Sequence, residues 1–230
     1  PLLRQTNCSS PILDTCPEFD EAKSTPEDLA GDIEAKGVRF SYAENGPLAL
    51  KDISFNIKPG EFVALVGPSG SGKSTLLRCL LGFEKPASGN IYYDGRDLAN
   101  LDMQELRQQI GVVLQSSRLI PGDIFRNIAG NSNLTAEDAW EAARAVGLEE
   151  ELKSMPMGIF TIVGTGLGGF SGGQKQRILI ARAIVKKPRI LFFDEATSSL
   201  DNRTQAMILE SIKNLRATRI VIAHRLSTVT

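Results

Sequence analysis

Residues 61–75 read Glu61-Phe62-Val63-Ala64-Leu65-Val66-Gly67-Pro68-Ser69-Gly70-Ser71-Gly72-Lys73-Ser74-Thr75, a short apolar run that passes into a glycine-rich loop. Gly67, Gly72, Lys73 and Ser74 satisfy the phosphate-loop pattern G-x-x-x-x-G-K-[ST]. Glycines let successive backbone N–H groups converge on phosphate oxygens, and a helix that starts there adds the positive end of its dipole. Lys73 supplies a mobile cation for the β- and γ-phosphates, and the Ser74 hydroxyl can ligate Mg²⁺. The alternative is a flexible Gly/Ser turn. The flanks weigh against it: the run before the loop is of β type, and Leu76-Leu77-Arg78-Cys79-Leu80-Leu81 continues after it as a helix. The stretch is expected to hold a nucleoside triphosphate.

The chain around it has the proportions of a globular domain or of two closely joined lobes. Its 27 acidic and 26 basic residues leave a formal charge of −1 and no electrostatic reason to expect nucleic acid as a partner. No apolar run approaches the ~20 residues needed to cross a bilayer, and no signal peptide is visible. Cys8, Cys16 and Cys79 show no C-x-x-C spacing, which argues against a disulfide framework or a zinc site and for a reducing compartment. The start at Pro1 and the end at Thr230, just after a strand-like run, are those of a fragment of a larger polypeptide.

In chain order, residues 1–30 are polar, broken by Pro11, Pro17 and Pro26, and have no sustained period, as in a loosely packed linker. From Ile33 apolar residues alternate: Ile33 and Ala35, then Val38, Phe40 and Tyr42, then Ile53, Phe55 and Ile57. This predicts half-buried antiparallel strands, punctuated by the turn signals Asn45-Gly46, Pro59-Gly60 and Asp94-Gly95. Tyr42 is either a sheet-surface aromatic or a platform on which a flat base stacks for ~1–3 kcal/mol. From about residue 100 to 187 the composition is mainly helical. Asp102-Met103-Gln104-Glu105 has the form of a capping box, and Thr135-Ala136-Glu137-Asp138 opens a helix carrying Trp140, Ala143 and Val146 that Gly147 can close. Between these helices lies the apolar run Gly111–Leu114, followed by Gln115, whose amide either reaches a metal ion or caps a strand.

Phe170-Ser171-Gly172-Gly173-Gln174 precedes a second good helix, and Ser171 with Gln174 fits the capping-box rule. Capping leaves Gly172 and Gly173 unexplained, since glycine weakens a helix, whereas a glycine-lined helix start can meet an incoming anion. A second phosphate-binding surface follows from that. Ile190-Leu191-Phe192-Phe193-Asp194-Glu195 is a buried parallel strand delivering two acids to its C-terminal end. Asp194 is suited to holding Mg²⁺ and Glu195 to polarising an attacking water. Ser198-Ser199-Leu200-Asp201 leads into a helix through Ile208, Leu209, Ile212 and Leu215. Arg219–Ala223 is a further buried strand that ends at His224, the one histidine, placed beside the presumed site.

In this order the pieces resemble the nucleotide-binding domain of ATP-binding-cassette transporters, over about residues 31–230. The correspondence runs through the Walker A loop Gly67–Thr75, Q-loop Gln115, signature Phe170–Gln174, Walker B Asp194-Glu195, D-loop Asp201 and H-loop His224. Gly122-Asp123-Ile124-Phe125-Arg126-Asn127-Ile128 and Thr161-Ile162-Val163-Gly164 are similar to exporter patterns, and residues 1–30 resemble the segment that joins a last membrane helix to the ATPase domain. Met155-Pro156-Met157-Gly158 resembles exporters of bacteriocin-like peptides. The resemblance implies an α/β P-loop NTPase fold of RecA type, with an antiparallel β-subdomain and a helical subdomain inserted at about residues 100–187. It implies an ATPase with Lys73, Gln115, Glu195 and His224 as catalytic residues. Mg²⁺ is held by Ser74, Gln115 and Asp194, and ATP by Tyr42 and residues 67–75. It also implies two copies packed head to tail, each lending Phe170, Ser171, Gly172, Gly173 and Gln174 to the other's ATP. A transmembrane domain of the same transporter is implied as partner, with the ATPase on the cytoplasmic face of the membrane.

Three positions depart from the family pattern: Phe170 for the usual Leu, Thr165 for Glu in the loop that senses the membrane domain, and Leu167 for Gly. The chain also ends before the final strands and helices usual in such domains. Chromosome-maintenance ATPases share these motifs but separate Walker A from the signature by long coiled coils, and no heptads intervene here. A soluble cassette protein would carry two cassettes in tandem. An ATP-dependent switch that binds without turnover is the third alternative, and Glu195 with His224 argues against it.

Overall fold

The computed structural model describes residues 24–26, 28–43, 46–164, 170–194 and 200–223. Strands β1 (Ile33–Phe40) and β2 (Leu50–Ile57), followed after β3 (Phe62–Val66) by β4 (Ser88–Tyr93) and β5 (Arg96–Asp97), build an antiparallel sheet in the order β2-β1-β4-β5. The alternation along β1 skips a beat between Ala35 and Val38. The register slips there on both sides of β1, and Gly37 takes a positive φ of 58°, so one extra residue is bulged out and Ile33, Ala35, Val38 and Phe40 all stay buried.

A second sheet is parallel. It joins β3 to β10 (Thr218–Ala223), β9 (Ile190–Asp194) and β6 (Ile110–Val113) in the order β3-β10-β9-β6, and all five residues of β9 are buried, as a central parallel strand requires. Helix α1 (Lys73–Leu80) follows β3, and its Leu76, Leu77 and Leu80 share one core with residues of both sheets. The buried Tyr93 hydroxyl donates to the Leu80 carbonyl at 2.7 Å, tying β4 to that helix. β6 lies inside the stretch expected to be mainly helical: Ile110–Val113 is a strand of the parallel sheet, placed between α2 (Met103–Gln108) and the helices beyond.

Those helices are α3 (Ile124–Ala129), α4 (Ala136–Ala145), α5 (Glu149–Lys153) and α6 (Gly172–Ile184), and with α7 (Asn202–Asn214) they enclose a second core. A short pair of strands, β7 (Gly122–Asp123) and β8 (Ile162–Val163), sits at its edge. Of the caps at the two helices on either side of β6, one is the box the sequence describes and one is not. Thr135 and Asp138 form a complete capping box on α4, whereas at α2 the Asp102 carboxylate accepts from Gln104 and Glu105 amides while Glu105 accepts from the Gln108 side chain. Helix α6 lies hard against β6 at Gly111, where a Cβ would stand 2.3 Å from the Ala183 carbonyl oxygen and 2.5 Å from Leu191 Cδ2.

The expected loose linker is fastened before it reaches β1. Leu29 is buried, its amide donates to Gln109 Oε1 at 2.8 Å, and the Asp94 carboxylate accepts from the amides of Ala30, Gly31 and Asp32. Residues 1–23 lie outside the described residues, as do Asn45 of the expected turn, Cys8 and Cys16; Cys79 is buried in α1, and burial pushes its thiol up to about 11.

Candidate active site

The parallel register brings the candidate residues to one edge of the sheet. Val66, the residue before the loop, pairs with Ala223, Ile222 pairs with Asp194, and Phe193 pairs with Val113. Adjacent strands therefore end together where the glycine-rich loop begins, where Asp194 sits and, two residues past Val113, where Gln115 follows. This is the carboxyl edge at which open α/β sheets take their ligands.

The loop itself is shaped by its glycines. Gly70 and Gly72 have positive φ angles of 79° and 91°, which side chains rarely adopt. A Cβ on Gly72 would stand 2.6 Å from the Ala49 carbonyl oxygen, and one on Gly67 would stand 2.9 Å from Ser71 Oγ. Gly72 is also the N-cap of α1 and offers no side-chain acceptor, so the first-turn amides are left for an anion from outside. The Lys73 ammonium curls back over this cradle, donating to the carbonyls of Gly67 at 2.7 Å and Pro68 at 2.9 Å and to Ser71 Oγ at 3.4 Å. Those acceptors are neutral, and a phosphate oxygen would hold the same ammonium more strongly. Ser69 and Ser74 are exposed, and Thr75 is buried.

Tyr42 lies just past β1 and is 65% exposed. Its hydroxyl is 3.0 Å from Thr75 Oγ1, and its ring meets Phe40 edge-on with centroids 4.9 Å apart. An exposed aromatic face is thus fixed beside the loop. Asp194 is buried at the end of β9. Among the described residues no group of three or more His, Cys, Asp or Glu could hold a metal ion. A single carboxylate with a serine hydroxyl is the kind of sparse set that suits Mg²⁺, which keeps water and substrate phosphates as its other ligands. Gln115 is exposed, in a turn where Ser117 Oγ accepts from the Leu114 amide at 3.0 Å.

The signature residues belong to a different part of the molecule. Phe170 packs against the helical core, and Ser171 and Gln174 form a reciprocal capping box at the start of α6. Gln174 Nε2 also donates to Glu151 at 2.7 Å, and Arg177 forms an ion pair with the same carboxylate at 2.6 Å, locking α6 onto α5. Glu151 is part of Glu149-Glu150-Glu151, which reads as ordinary solvated acids in sequence and carried no signal of this role. A Cβ on Gly172 would meet nothing within 4 Å, so packing within this copy does not require a glycine there. Asp201 caps α7 by accepting from the Thr204 amide, and the Thr204 side chain first, with that backbone bond, holds its carboxyl below the usual range. Glu195, His224, Thr165, Leu167, Ser198 and Ser199 lie outside the described residues.

Comparison with known proteins agrees with this geometry: residues 50–198 match the ABC transporter family. The chain belongs to that family. This ABC domain is 44% identical over 221 residues to the alpha-hemolysin translocation ATP-binding protein HlyB of Escherichia coli O157:H7, an alignment covering 95% of the chain and 31% of that protein. It is 43% identical, with the same coverage, to the toxin RTX-III translocation ATP-binding protein of Actinobacillus pleuropneumoniae. Among solved structures it resembles a bacterial Atm1-family ABC exporter with ATP bound, at 38% identity and a TM-score of 0.87, covering 95% of this chain and 39% of that one. The chain thus spans about a third of the length of the curated relatives it matches. The names of these two relatives refer to toxin translocation. Among the described residues no helix is long and apolar enough to cross a membrane.

Proposed function

We propose that this ABC domain binds and hydrolyses MgATP as the motor of an exporter, at the cytoplasmic face of a membrane, and that its cargo is a polypeptide. The observation that carries the reading is the shared sheet edge: a glycine cradle that excludes side chains, a buried Asp194 and the Gln115 turn all lie at the ends of neighbouring strands. In this reading residues 67–75 hold the phosphates, the Lys73 ammonium moves from the loop carbonyls to the β- and γ-oxygens, and Tyr42 supports the adenine. Ser74, Asp194 and Gln115 would hold Mg²⁺, which supplies charge neutralisation on the phosphates. Glu195 takes the proton of the attacking water, and His224 contacts the γ-phosphate.

Two copies act head to tail. The start of α6 is exposed, glycine-lined and bonded to α5, which supports its serving the ATP of a second copy as Phe170–Gln174 close over it. Dimer opening after hydrolysis is then transmitted to a transmembrane domain of the same transporter. The polypeptide cargo rests on the toxin-translocating relatives, and a bacteriocin-like peptide is the smaller member of that class.

The test is light scattering with Mg-ATP. Glu195→Gln is expected to bind ATP, lose ~10²–10⁴-fold in hydrolysis and accumulate as dimer. Adding Ser171→Arg is expected to leave ATP bound and the protein monomeric, because a bulky cation fills the partner phosphate's place. Full hydrolysis by Glu195→Gln would remove Glu195 from its role, and a Glu195→Gln single variant that binds ATP yet stays monomeric at every concentration would remove the two-copy arrangement.

A further inference from the structure

Asn127, on α3, is wholly buried and yet makes every hydrogen bond its side chain can offer at short range. Its Oδ1 accepts from the Ile120 amide at 2.9 Å and from Arg182 Nη2 at 2.6 Å, and its Nδ2 donates to the carbonyls of Ile120 at 2.9 Å and Asp123 at 3.0 Å. Arg182, in the last turn of α6, adds bonds from Nε to the Asn127 carbonyl and from Nη1 to the Arg118 carbonyl at 3.3 Å. One arginine of the signature helix therefore grips the segment Arg118–Ile120 through Asn127. That segment is the outgoing arm of the loop that carries Gln115.

The incoming arm packs against the next residue of the same helix. β6 runs into Leu114 and Gln115, and it touches α6 at Gly111, where the Ala183 carbonyl leaves no room even for a Cβ. Both ends of the Gln115 loop thus meet adjacent residues, 182 and 183, one through polar bonds and one through close packing. Between them Leu114 and Ser117 brace the arc with two hydrogen bonds, Ser117 Oγ accepting from the Leu114 amide and the Ser117 amide donating to the Leu114 carbonyl. Loop, β6, Asn127 and the end of α6 form a closed ring.

We infer that Asn127 and Arg182 are positioning residues that make the Gln115 loop and the signature helix move as one body. The inference rests on the proposed two-copy ATPase, in which Gln115 faces the copy's own ATP and α6 faces its partner's. A displacement of Gln115 on ATP engagement then carries α6 with it, so each site reports its occupancy to the other. The clamp touches no nucleotide, so its loss affects turnover and the coupling of the two sites without weakening the phosphate cradle.

The test uses Asn127→Ala and Arg182→Lys; the lysine keeps the charge but replaces the three-donor fork with a point charge, so the helix core stays intact even if Asn127→Ala does not fold. Hydrogen exchange without nucleotide is the first readout. In the wild-type protein the Ile120 amide should exchange together with the last-turn amides of α6, and in Arg182→Lys it should exchange faster while those amides keep their rates. Steady-state hydrolysis is the second: the variants should keep wild-type ATP affinity, lose ~10–100-fold in kcat and lose cooperativity in ATP. An Ile120 amide that exchanges independently of α6 in the wild-type protein overturns the clamp, and so does unchanged kcat and cooperativity in both variants. Wild-type protein that neither hydrolyses ATP nor dimerises would count against the proposed function, while the exchange comparison, made without nucleotide, would still decide on the clamp.

Discussion

Tyr42 shows at the scale of one residue what a sequence can and cannot say. Its type and its position ahead of the phosphate loop offer it either as a sheet-surface aromatic or as the proposed stacking platform, but its hydrogen bond to Thr75 joins residues 33 apart and exists only once β1 and α1 pack. Tyr42→Ala is expected to raise the KM for ATP more than it lowers kcat, with Tyr42→Phe between the two because the ring persists while its tether to Thr75 is lost. Steady-state kinetics with both variants decides it, and a collapse of kcat at constant KM would place Tyr42 elsewhere in the cycle. The positive φ angles of the loop glycines were legible because that need is local and follows from a short pattern, whereas the approach of Gly72 to the Ala49 carbonyl comes only with the packing. Asn127 was not, because nothing local distinguishes a buried asparagine with four partners from a solvated one. Glu195 and His224, legible as chemistry, fall outside the described residues and remain assignments from sequence.

Among the elements, the strands at the sheet edge and the capped helices were readable from period and caps. The bulge in β1 was present in the sequence as an alternation with one residue too many, resolved by Gly37. β6 was harder: four residues of apolar sequence between helices carry no sign of which sheet they join, and only its pairing with β9 assigns it. Its seat against α6 has a measurable consequence. Gly111→Ala would force a methyl to 2.3 Å from a backbone carbonyl that belongs to a helix and cannot swing away. The expected result is a loss of ~1–3 kcal/mol or more in stability, read as a lower midpoint in chemical denaturation. A midpoint equal to that of the wild-type protein would show that α6 can shift off the sheet at no cost, which would also loosen the ring through Gln115.

For the molecule as a whole, the order of motifs announced the α/β architecture. The strand order β3-β10-β9-β6 did not follow from it, because parallel neighbours are far apart in the chain and every such strand reads as a plain apolar run. What joins the two sheets was likewise hidden. Thr218 is wholly buried; its hydroxyl donates to the Gly31 carbonyl at 2.6 Å and accepts from the Gly60 amide at 2.9 Å. Thr218→Val keeps the shape but leaves the buried Gly31 carbonyl and the half-buried Gly60 amide without this partner, so a destabilisation of ~1–3 kcal/mol is expected, with Thr218→Ser milder. Urea melts of the two variants check this, and equal midpoints for Val and wild type would show that neither bond matters.

The same threonine fixes how a pull on the chain would travel. Ahead of β1 the backbone is bolted in series, at Ser24 to Asn100 and Asp102, at Leu29 to Gln109, at Ala30 to Asp32 on Asp94, and at Gly31 on Thr218. Tension arriving from the residues before Ser24 is therefore not spent in peeling β1 from its sheet. It meets these bonds one after another, and one of them ends at the root of β10, the strand seated between β3, which feeds the phosphate loop, and β9, which carries Asp194. The domain is moored rather than tethered, its amino end made fast at several cleats, of which one stands on the central plate that bears the phosphate loop and Asp194.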